Sequence, residues 1–226
     1  MMQWVTTYSQ RVGWANTVSC IRMLAMIPFA YWVLTPTSQL MVPVSSELHA
    51  WTAFVLAGLI IWMDGWDGYL ARRFQESSAF GALWDILCDR VVEQTFWVVF
   101  LVKGWVPLWA VLAIIWRGIL VDGIRGLAHQ SGKTAFGTTS IMQHWLGIAL
   151  VSSRASRWGY AVLKAVYFAL CPWWFLSHQS VSSEQGKIAV LLAPDWLYLC
   201  MLGVVVCCWI RAIPVWVEMR AYLKNA

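Results

Sequence analysis

Residues 64–89 read DGWDGYLARRFQESSAFGALWDILCD, in which two pairs of aspartates flank a short polar connection between apolar segments. Asp64 and Asp67 are three positions apart, and Asp85 and Asp89 are four positions apart, so each pair shares one face of a helix. A connection this short makes consecutive helices antiparallel neighbours. We therefore expect the four carboxylates to converge from two helices on one point.

The composition places this aspartate-rich stretch in a membrane protein. Of the 226 residues, 60% are hydrophobic and 12% are charged, whereas charged residues make up about 25% of a typical soluble domain. The 18 Trp residues favour the same interpretation, because indole rings accumulate at membrane–water interfaces. The basic residues behind the net charge of +5 are spread among apolar segments. They form no basic and aromatic patch, which argues against nucleic acid as a partner.

Six segments have the apolar composition and the length, about 20 residues, of a membrane-spanning helix. They are Val18–Leu34, His49–Leu70, Phe80–Val102, Pro107–Leu127, Ala155–Leu176 and Ile188–Val215. The sequence thus predicts an all-α, polytopic membrane protein with six transmembrane helices, forming a single domain over residues 1–226. Phe136–Val151 contains too many polar residues for a span and is expected to lie at the membrane surface.

Residues before the first span do not have the order of regions found in a cleavable signal peptide. An N-terminal interfacial helix would align the apolar residues of Met1–Asn16 on one face, namely Trp4, Val5, Tyr8, Val12 and Trp14. A frayed tail is the alternative interpretation of this segment.

The loop charges predict the orientation of the six spans. Eight basic residues fall on one side, and they are Arg11, Arg72, Arg73, Lys133, Arg154, Arg157, Arg220 and Lys224. Only Lys103 and Lys187 fall in loops on the other side. The basic side is normally cytoplasmic, so both termini and the aspartate-rich connection are expected inside.

Carboxylates are costly inside a membrane, at roughly 2.5–3.5 kcal/mol each near the bilayer centre. Four of them cannot stay ionised side by side without cations. Oxygen ligands favour Mg²⁺, Mn²⁺ or Ca²⁺ over zinc, and a pair of such ions suits phosphoryl transfer. A transporter that uses the aspartates as an ion pathway is the alternative from another functional class.

The full pattern of the stretch is Asp64-x2-Asp67-Gly68-x2-Ala71-Arg72-x8-Gly81-x3-Asp85-x3-Asp89. It resembles the signature of the CDP-alcohol phosphotransferase family at all eight positions, and the six predicted spans agree with that family's architecture. The resemblance implies a transferase that displaces CMP from a CDP-linked lipid such as CDP-diacylglycerol, with the hydroxyl of an alcohol acceptor as nucleophile. It also implies a homodimer.

The resemblance assigns roles to the matching positions of this chain. Two divalent ions, Mg²⁺ or Mn²⁺, would bind at Asp64, Asp67, Asp85 and Asp89. Asp89 would also act as the general base toward the acceptor hydroxyl. The CDP-lipid would bind at the remaining signature positions, which are Gly68, Ala71, Arg72 and Gly81.

The first span adds a weaker match to the same family. Asn16 and Arg22 resemble an Asn and an Arg that lie near the family's nucleotide site, which would add Asn16 to the CDP-lipid site. The alternative is a helix N-cap at Asn16 and an Arg22 side chain that extends to the membrane surface.

Basic residues beyond the signature bear on the identity of the acceptor. The segment from Arg117 to Arg125 resembles the arginine-bearing helix of bacterial phosphatidylglycerophosphate synthases, which use glycerol 3-phosphate. Lys133, Arg154, Arg157 and Lys164 are further candidates for binding an acceptor phosphate, because basic side chains near the site would neutralise it and guanidinium groups match a phosphate edge. Positive-inside topology is the alternative explanation of Lys133, Arg154 and Arg157.

Two departures from the synthase pattern leave the acceptor open. Gly132-Lys133-Thr134 lacks the second lysine of a common Gly-Lys-x-Lys-Thr pattern, and Trp84-Asp85-Ile86 stands where Leu-Asp-Pro is frequent. Inositol phosphate therefore stays an alternative acceptor. The resulting hypothesis is a phosphatidyltransferase of the bacterial inner membrane that binds CDP-diacylglycerol and a small phosphorylated alcohol from the cytoplasm, most plausibly glycerol 3-phosphate.

Overall fold

The computed structural model describes residues 13–40, 44–73, 79–130, 148–178 and 193–217. Six α-helices cover most of these ranges: α1 Trp14–Leu34, α2 Ser46–Arg73, α3 Ala79–Val102, α4 Leu108–Gln130, α5 Arg154–Ser177 and α6 Asp195–Ile210. A 3₁₀ turn at Thr37–Gln39, a π-helical turn at Ile148–Ser152 and a helical turn over residues 213–217 are the other helical elements there. The described ranges contain no strand, and the prediction of an all-α fold is confirmed.

Five of the predicted spans coincide with α1 to α5 to within a few residues at either end. The sixth, Ile188–Val215, is not one continuous helix, because Ala193 and Pro194 lie outside helical structure and α6 begins at Asp195. Proline has no N–H to donate and disfavours helical dihedral angles in the residue before it. The predicted helix within residues 1–12 and most of the predicted surface segment at 136–151 lie outside the described residues.

Four helical stretches in the described ranges are long and apolar enough to cross a membrane: Asn16–Leu34, Ser46–Trp66, Arg154–Ser177 and Asp195–Val217. Helices α3 and α4 have similar lengths but carry their charged residues away from the helix ends, namely Asp85, Asp89, Arg90 and Glu93 in α3 and Arg117, Asp122 and Arg125 in α4.

Large apolar side chains are exposed on all six helices, for example Ile27, Trp62, Leu83, Ile119, Trp158 and Leu199. Soluble monomers rarely present so much apolar surface to water, whereas lipid accommodates it. The chain is a membrane protein.

The chain divides into two compact units. The first unit comprises Met1–Val106 and Phe168–Leu192, and the second comprises Pro107–Tyr167 and Ala193–Ala226. Helix α5 contributes its N-terminal part to the second unit and its C-terminal part to the first.

In the first unit, α1 packs against both α2 and α3. A buried aromatic core joins α1 and α3 to the C-terminal part of α5. The Phe96 ring lies 4.8 Å from that of Phe29 and is stacked on that of Phe168 at 4.6 Å. Such ring pairs contribute about 0.5–1.5 kcal/mol each beyond the area that they bury.

Two reciprocal hydrogen bonds between Trp32 and His49 join α1 to α2. His49 is fully buried, and its Nε2 donates a hydrogen bond to the carbonyl of Trp32 at 2.8 Å. The indole Nε1 of Trp32 donates in turn to the carbonyl of His49 at 3.1 Å. Each side chain therefore satisfies a backbone carbonyl of the other helix, which sets the register of α1 on α2.

The second unit has its own small apolar core. Val121 of α4 and Val151 of the π-helical turn pack there with Ala212 and Val215, which follow α6. In the same unit, Leu163 of α5 approaches within 3.4 Å of the position that a Cβ would take at Gly203 of α6. Glycine thus permits close contact between these two helices.

Helix α3 ends in a glycine-dependent cap. Gly104 has a φ of 72°, and its N–H donates to the carbonyl of Leu101, while the N–H of Trp105 donates to the carbonyl of Phe100, both at 2.9 Å. The rings of Phe100 and Trp105 lie 5.7 Å apart. These are the two hydrogen bonds and the apolar contact of a Schellman motif, which turns the chain sharply before Pro107.

We predict that Gly104→Ala lowers the free energy of unfolding by about 1–2 kcal/mol, because a Cβ is strained at positive φ. Thermal unfolding in detergent micelles, followed by circular dichroism, measures the effect. Gly58→Ala is the matched control, since Gly58 lies inside α2 with no atom within 4 Å of an added Cβ, and it should leave the melting temperature unchanged or raise it. Equal melting temperatures for the two variants would contradict the role of this cap.

Candidate active site

The most buried charge of the first unit is the guanidinium of Arg22, on α1. Its Nη1 donates to Asp64 of α2, and its Nη2 donates to Asp89 of α3. Asp85, one turn before Asp89 on α3, has its Oδ1 3.8 Å from the same Nη2. Three helices thus bring three of the four signature aspartates to one arginine.

Exposure differs sharply between the arginine and its partners. The Arg22 side chain is 2% exposed, whereas Asp64, Asp85 and Asp89 are 54%, 48% and 47% exposed. A buried guanidinium must be paired with an anion, and this requirement is met here by carboxylates that still have one side open. A ligand can therefore reach the carboxylates without opening the helix packing.

The helix repeat explains why the aspartates meet. Residues three or four apart share a helix face, so the spacing of Asp85 and Asp89 turns both toward α1. Arg90, the residue after Asp89, pairs with Glu93 at 3.0 Å. The residue that follows Asp89 on α3 therefore takes part in a different ion pair.

The donor set suits a hard divalent cation. Carboxylate oxygens are the ligands that Mg²⁺ and Mn²⁺ prefer, and three carboxylates outnumber the one guanidinium among them. In the part of the chain that the structure describes, no three His, Cys, Asp or Glu side chains are close enough together to hold one ion. Asp67 lies on α2 three residues after Asp64, and its side chain is not among those that the structure describes.

The positions predicted for the CDP-lipid are distributed over the same helices. Gly68, Ala71 and Arg72 continue α2 beyond the aspartates, with no side-chain description for Ala71 and Arg72. Gly81 is partly buried on α3, one turn before Asp85. A Cβ at Gly65 would meet no atom within 4 Å, so there is open space at this position of α2.

The interpretation of the first span as an N-cap at Asn16 and a surface arginine at Arg22 is wrong on both counts. Asn16 is not the N-cap of α1, because Gly13 occupies that position and Asn16 lies inside the first turn. The local reason is that the carbonyl of Gly13 already accepts from both the N–H and the hydroxyl of Thr17, at 3.2 Å and 3.1 Å. Arg22 does not extend to the surface, since it is buried against the aspartates.

The residues predicted for an acceptor phosphate belong to the second unit. Arg117 is buried on α4, and its Nε donates to the carbonyl of Cys208 on α6 at 3.2 Å. Arg154 and Arg157 are exposed in the first turn of α5. Arg125 lies on α4 without a side-chain description, and Lys133 lies outside the described residues.

Arg211 is a basic residue that the sequence analysis missed. It follows α6, and its Nη1 donates to the carbonyl of Leu150 at 3.1 Å and to Oγ of Ser156 at 2.6 Å. Its Nη2 donates to the carbonyl of Val151 at 3.5 Å, and its guanidinium lies 5.5 Å from the centre of the Tyr160 ring. An arginine at the end of an apolar span was the available signal, because such a side chain needs partners.

Other basic side chains of the second unit lie near Arg211 or near its ring partner Tyr160. Arg117 and Arg157 are close enough to repel the charge of Arg211. Lys164 also contacts the Tyr160 ring, with its Nζ 5.6 Å from the ring centre. We refer to Arg117, Arg157, Lys164 and Arg211 as the basic cluster of the second unit.

Known proteins resemble most of this chain. The family model described as CDP-alcohol phosphatidyltransferase matches residues 13–217. A Mycobacterium tuberculosis protein named "Putative cardiolipin synthase" is 34% identical over 143 residues, which are 62% of each chain. A Pseudomonas fluorescens CDP-diacylglycerol–glycerol-3-phosphate 3-phosphatidyltransferase is 30% identical over 122 residues, or 53% of this chain and 57% of the relative.

A Mycoplasma genitalium protein with the same transferase name is 24% identical over 160 residues, 70% of this chain and 61% of its own. The matches with these relatives therefore cover less than two thirds of each relative's length. The family model covers both compact units and every signature aspartate. On this match, the chain belongs to the CDP-alcohol phosphatidyltransferase family.

Proposed function

We propose that this protein transfers a phosphatidyl group from CDP-diacylglycerol to glycerol 3-phosphate and releases CMP. The observation that carries the proposal is the convergence of Asp64, Asp85 and Asp89 from two helices around one buried arginine. A diphosphate ester needs cations that neutralise its charge and a base for the attacking hydroxyl. A half-open carboxylate cluster supplies ligands for such cations and a carboxylate that can act as the base. The family match favours this reaction over an ion transporter.

Asp89 is the proposed general base. Its carboxylate takes the proton of the acceptor hydroxyl while the hydroxyl oxygen attacks the phosphorus that bears the diacylglycerol. A new P–O bond forms to the acceptor, the P–O bond to the CMP phosphate breaks, and CMP leaves with the electron pair. Water then accepts the proton from Asp89, which restores the carboxylate.

Asp64, Asp67, Asp85 and Asp89 are the residues proposed to hold two Mg²⁺ or Mn²⁺ ions. When bound, such ions neutralise the diphosphate and stabilise charge on the leaving phosphate. Gly68, Ala71 and Gly81 have small or absent side chains, which would let the nucleotide approach α2 and α3 closely. Asn16 and Arg72 complete the proposed CDP-lipid site.

The basic cluster of the second unit is the proposed site for the acceptor phosphate. The three hydrogen bonds of Arg211 leave two of its five N–H groups available for an anion. Arg157 is exposed and adds a second guanidinium, and a bidentate guanidinium matches a phosphate edge. Arg125, Lys133 and Arg154 stay candidates for the same site.

A second candidate acceptor is proposed besides glycerol 3-phosphate, because the mycobacterial relative is named for cardiolipin synthesis. Cardiolipin contains two phosphatidyl groups on one glycerol, so phosphatidylglycerol would be the acceptor in that reaction. The attacking group is again a glycerol hydroxyl. The chemistry at the carboxylates is the same for both acceptors, and only the acceptor site differs.

We further propose the six-span arrangement, in which α3 and α4 cross the membrane with their charged residues turned inward. Both termini and the carboxylate cluster then face the cytoplasm of a bacterial cell, and CDP-diacylglycerol keeps its acyl chains in the inner membrane. A homodimer would cover part of the exposed apolar surface.

Purified protein with CDP-diacylglycerol, Mn²⁺ and glycerol 3-phosphate should release CMP, which a chromatographic assay of the nucleotide measures. Excess EDTA should stop the release and added Mg²⁺ or Mn²⁺ should restore it. The acceptor screen includes phosphatidylglycerol, inositol phosphate, inositol and serine. Release only with phosphatidylglycerol would replace glycerol 3-phosphate in the proposal, and no release with any alcohol would refute the transferase function.

Asp89→Asn should lower the rate of CMP release by about 10²–10⁴-fold, because the amide cannot accept the hydroxyl proton. The substitution is nearly isosteric, so the melting temperature in detergent should show a folded protein. Asp195→Asn is the matched control, since Asp195 is an exposed carboxylate in the first turn of α6, and its rate should equal that of the original protein. Full activity of Asp89→Asn would refute the base assignment.

Arg157→Gln and Arg211→Gln should each raise the KM for glycerol 3-phosphate by roughly 10-fold, because a charge-assisted hydrogen bond is worth about 1.5–3 kcal/mol. Glycerol lacks the phosphate and serves as the control acceptor, for which kcat/KM should stay the same. If the KM for glycerol 3-phosphate does not change in either variant, the arginines serve topology or packing and the acceptor phosphate binds elsewhere.

A further inference from the structure

Arg22 occupies the place that the proposed reaction requires for divalent cations. Its guanidinium contacts Asp64 and Asp89 directly and lies 3.8 Å from Asp85. The same carboxylates are the proposed metal ligands. A guanidinium and a divalent ion cannot share these oxygens at full strength, because their like charges would repel at contact distance.

We propose that Arg22 is an internal counter-ion that competes with divalent cations for Asp64 and Asp89, so that metal binding displaces its guanidinium from the cluster. This inference rests on the proposed metal site. It assigns to Arg22 a regulatory effect on metal affinity, since a cation that binds Asp64 and Asp89 must compete with the two contacts that Arg22 makes with them.

The exposure of the cluster supports exchange over a permanent ion pair. An ion pair that is buried on both sides is costly to break, whereas here the three aspartates are about half exposed and only the arginine is enclosed. A cation can therefore approach the carboxylates from the open side and compete there with the guanidinium for their oxygens. In the metal-free protein, Arg22 keeps the like charges of α2 and α3 from repelling.

The test measures Mn²⁺ affinity directly, without turnover. Free Mn²⁺ has a sharp electron paramagnetic resonance signal that is lost on binding, so titration of the detergent-solubilised protein gives both the dissociation constant and the number of ions. Arg22→Gln removes the charge and should bind Mn²⁺ roughly 10-fold more tightly than the original protein, within the usual range of coupling between two ligands. Equal or weaker binding by this variant would overturn the competition.

Two further variants separate competition from general electrostatics. Arg90→Gln removes a positive charge from the position next to Asp89, but Arg90 pairs with Glu93, so its effect on Mn²⁺ affinity should be much smaller. Arg22→Lys keeps the charge but replaces the two-pronged guanidinium with a point charge, and its affinity should lie between those of the original protein and Arg22→Gln. An equal gain in Arg90→Gln would show that only net charge matters and would refute the exchange.

Thermal unfolding gives a second readout if Arg22→Gln is fragile. Without metal this variant should melt at a lower temperature, because its carboxylates have lost their counter-ion. Saturating Mn²⁺ should then raise its melting temperature more than that of the original protein, since tighter binding adds more stability. A deficit that persists unchanged at saturating Mn²⁺ would identify a permanent structural ion pair.

Failure of the metal site itself has a different signature. If neither the original protein nor any Arg22 variant binds Mn²⁺, the proposed cofactor site is refuted together with the competition. If all of them bind with equal affinity, the metal site stands and only the role of Arg22 is refuted.

Discussion

A buried guanidinium that must find anions is the constraint around which the first unit is organised. Arg22 lies on the inner face of an apolar helix, where an unpaired charge would be very costly. Pairing it with Asp64 and Asp89 joins α1 to α2 and to α3. The same contacts gather the carboxylates that the signature of the family supplies, so the packing of these helices and the assembly of the site have one cause.

The rest of the first unit holds this arrangement in place with neutral contacts. The reciprocal hydrogen bonds of Trp32 and His49 set α1 on α2, and the stacked rings of Phe96 and Phe168 join α3 to α5. Supports of this kind restrict the helices without adding charge to the membrane interior. Carboxylates placed on such helices keep their mutual spacing, which is what a multi-ligand site requires.

The second unit contains the complementary chemistry. Its basic cluster gathers on α4, α5 and the end of α6, where Arg211 is anchored by the carbonyls of the π-helical turn and by Ser156. The signature of 26 residues lies wholly within the first unit. It therefore carries no information about the basic residues of the second unit, and it leaves the acceptor open.

The sequence by itself determined the helical class, the approximate limits of α1 to α5, the membrane setting and the family, because apolar length, helical spacing and a signature motif are local properties. Proline at 194 was equally visible, but its interruption of the last span was overlooked. Only the tertiary structure decided what Arg22 and Arg211 contact. Each residue turns about 100° around a helix axis, so an arginine in an apolar span can face lipid, water or carboxylates, and the choice depends on how α1 is rotated against α2 and α3. That rotation is set by contacts between residues distant in sequence, which no local pattern records.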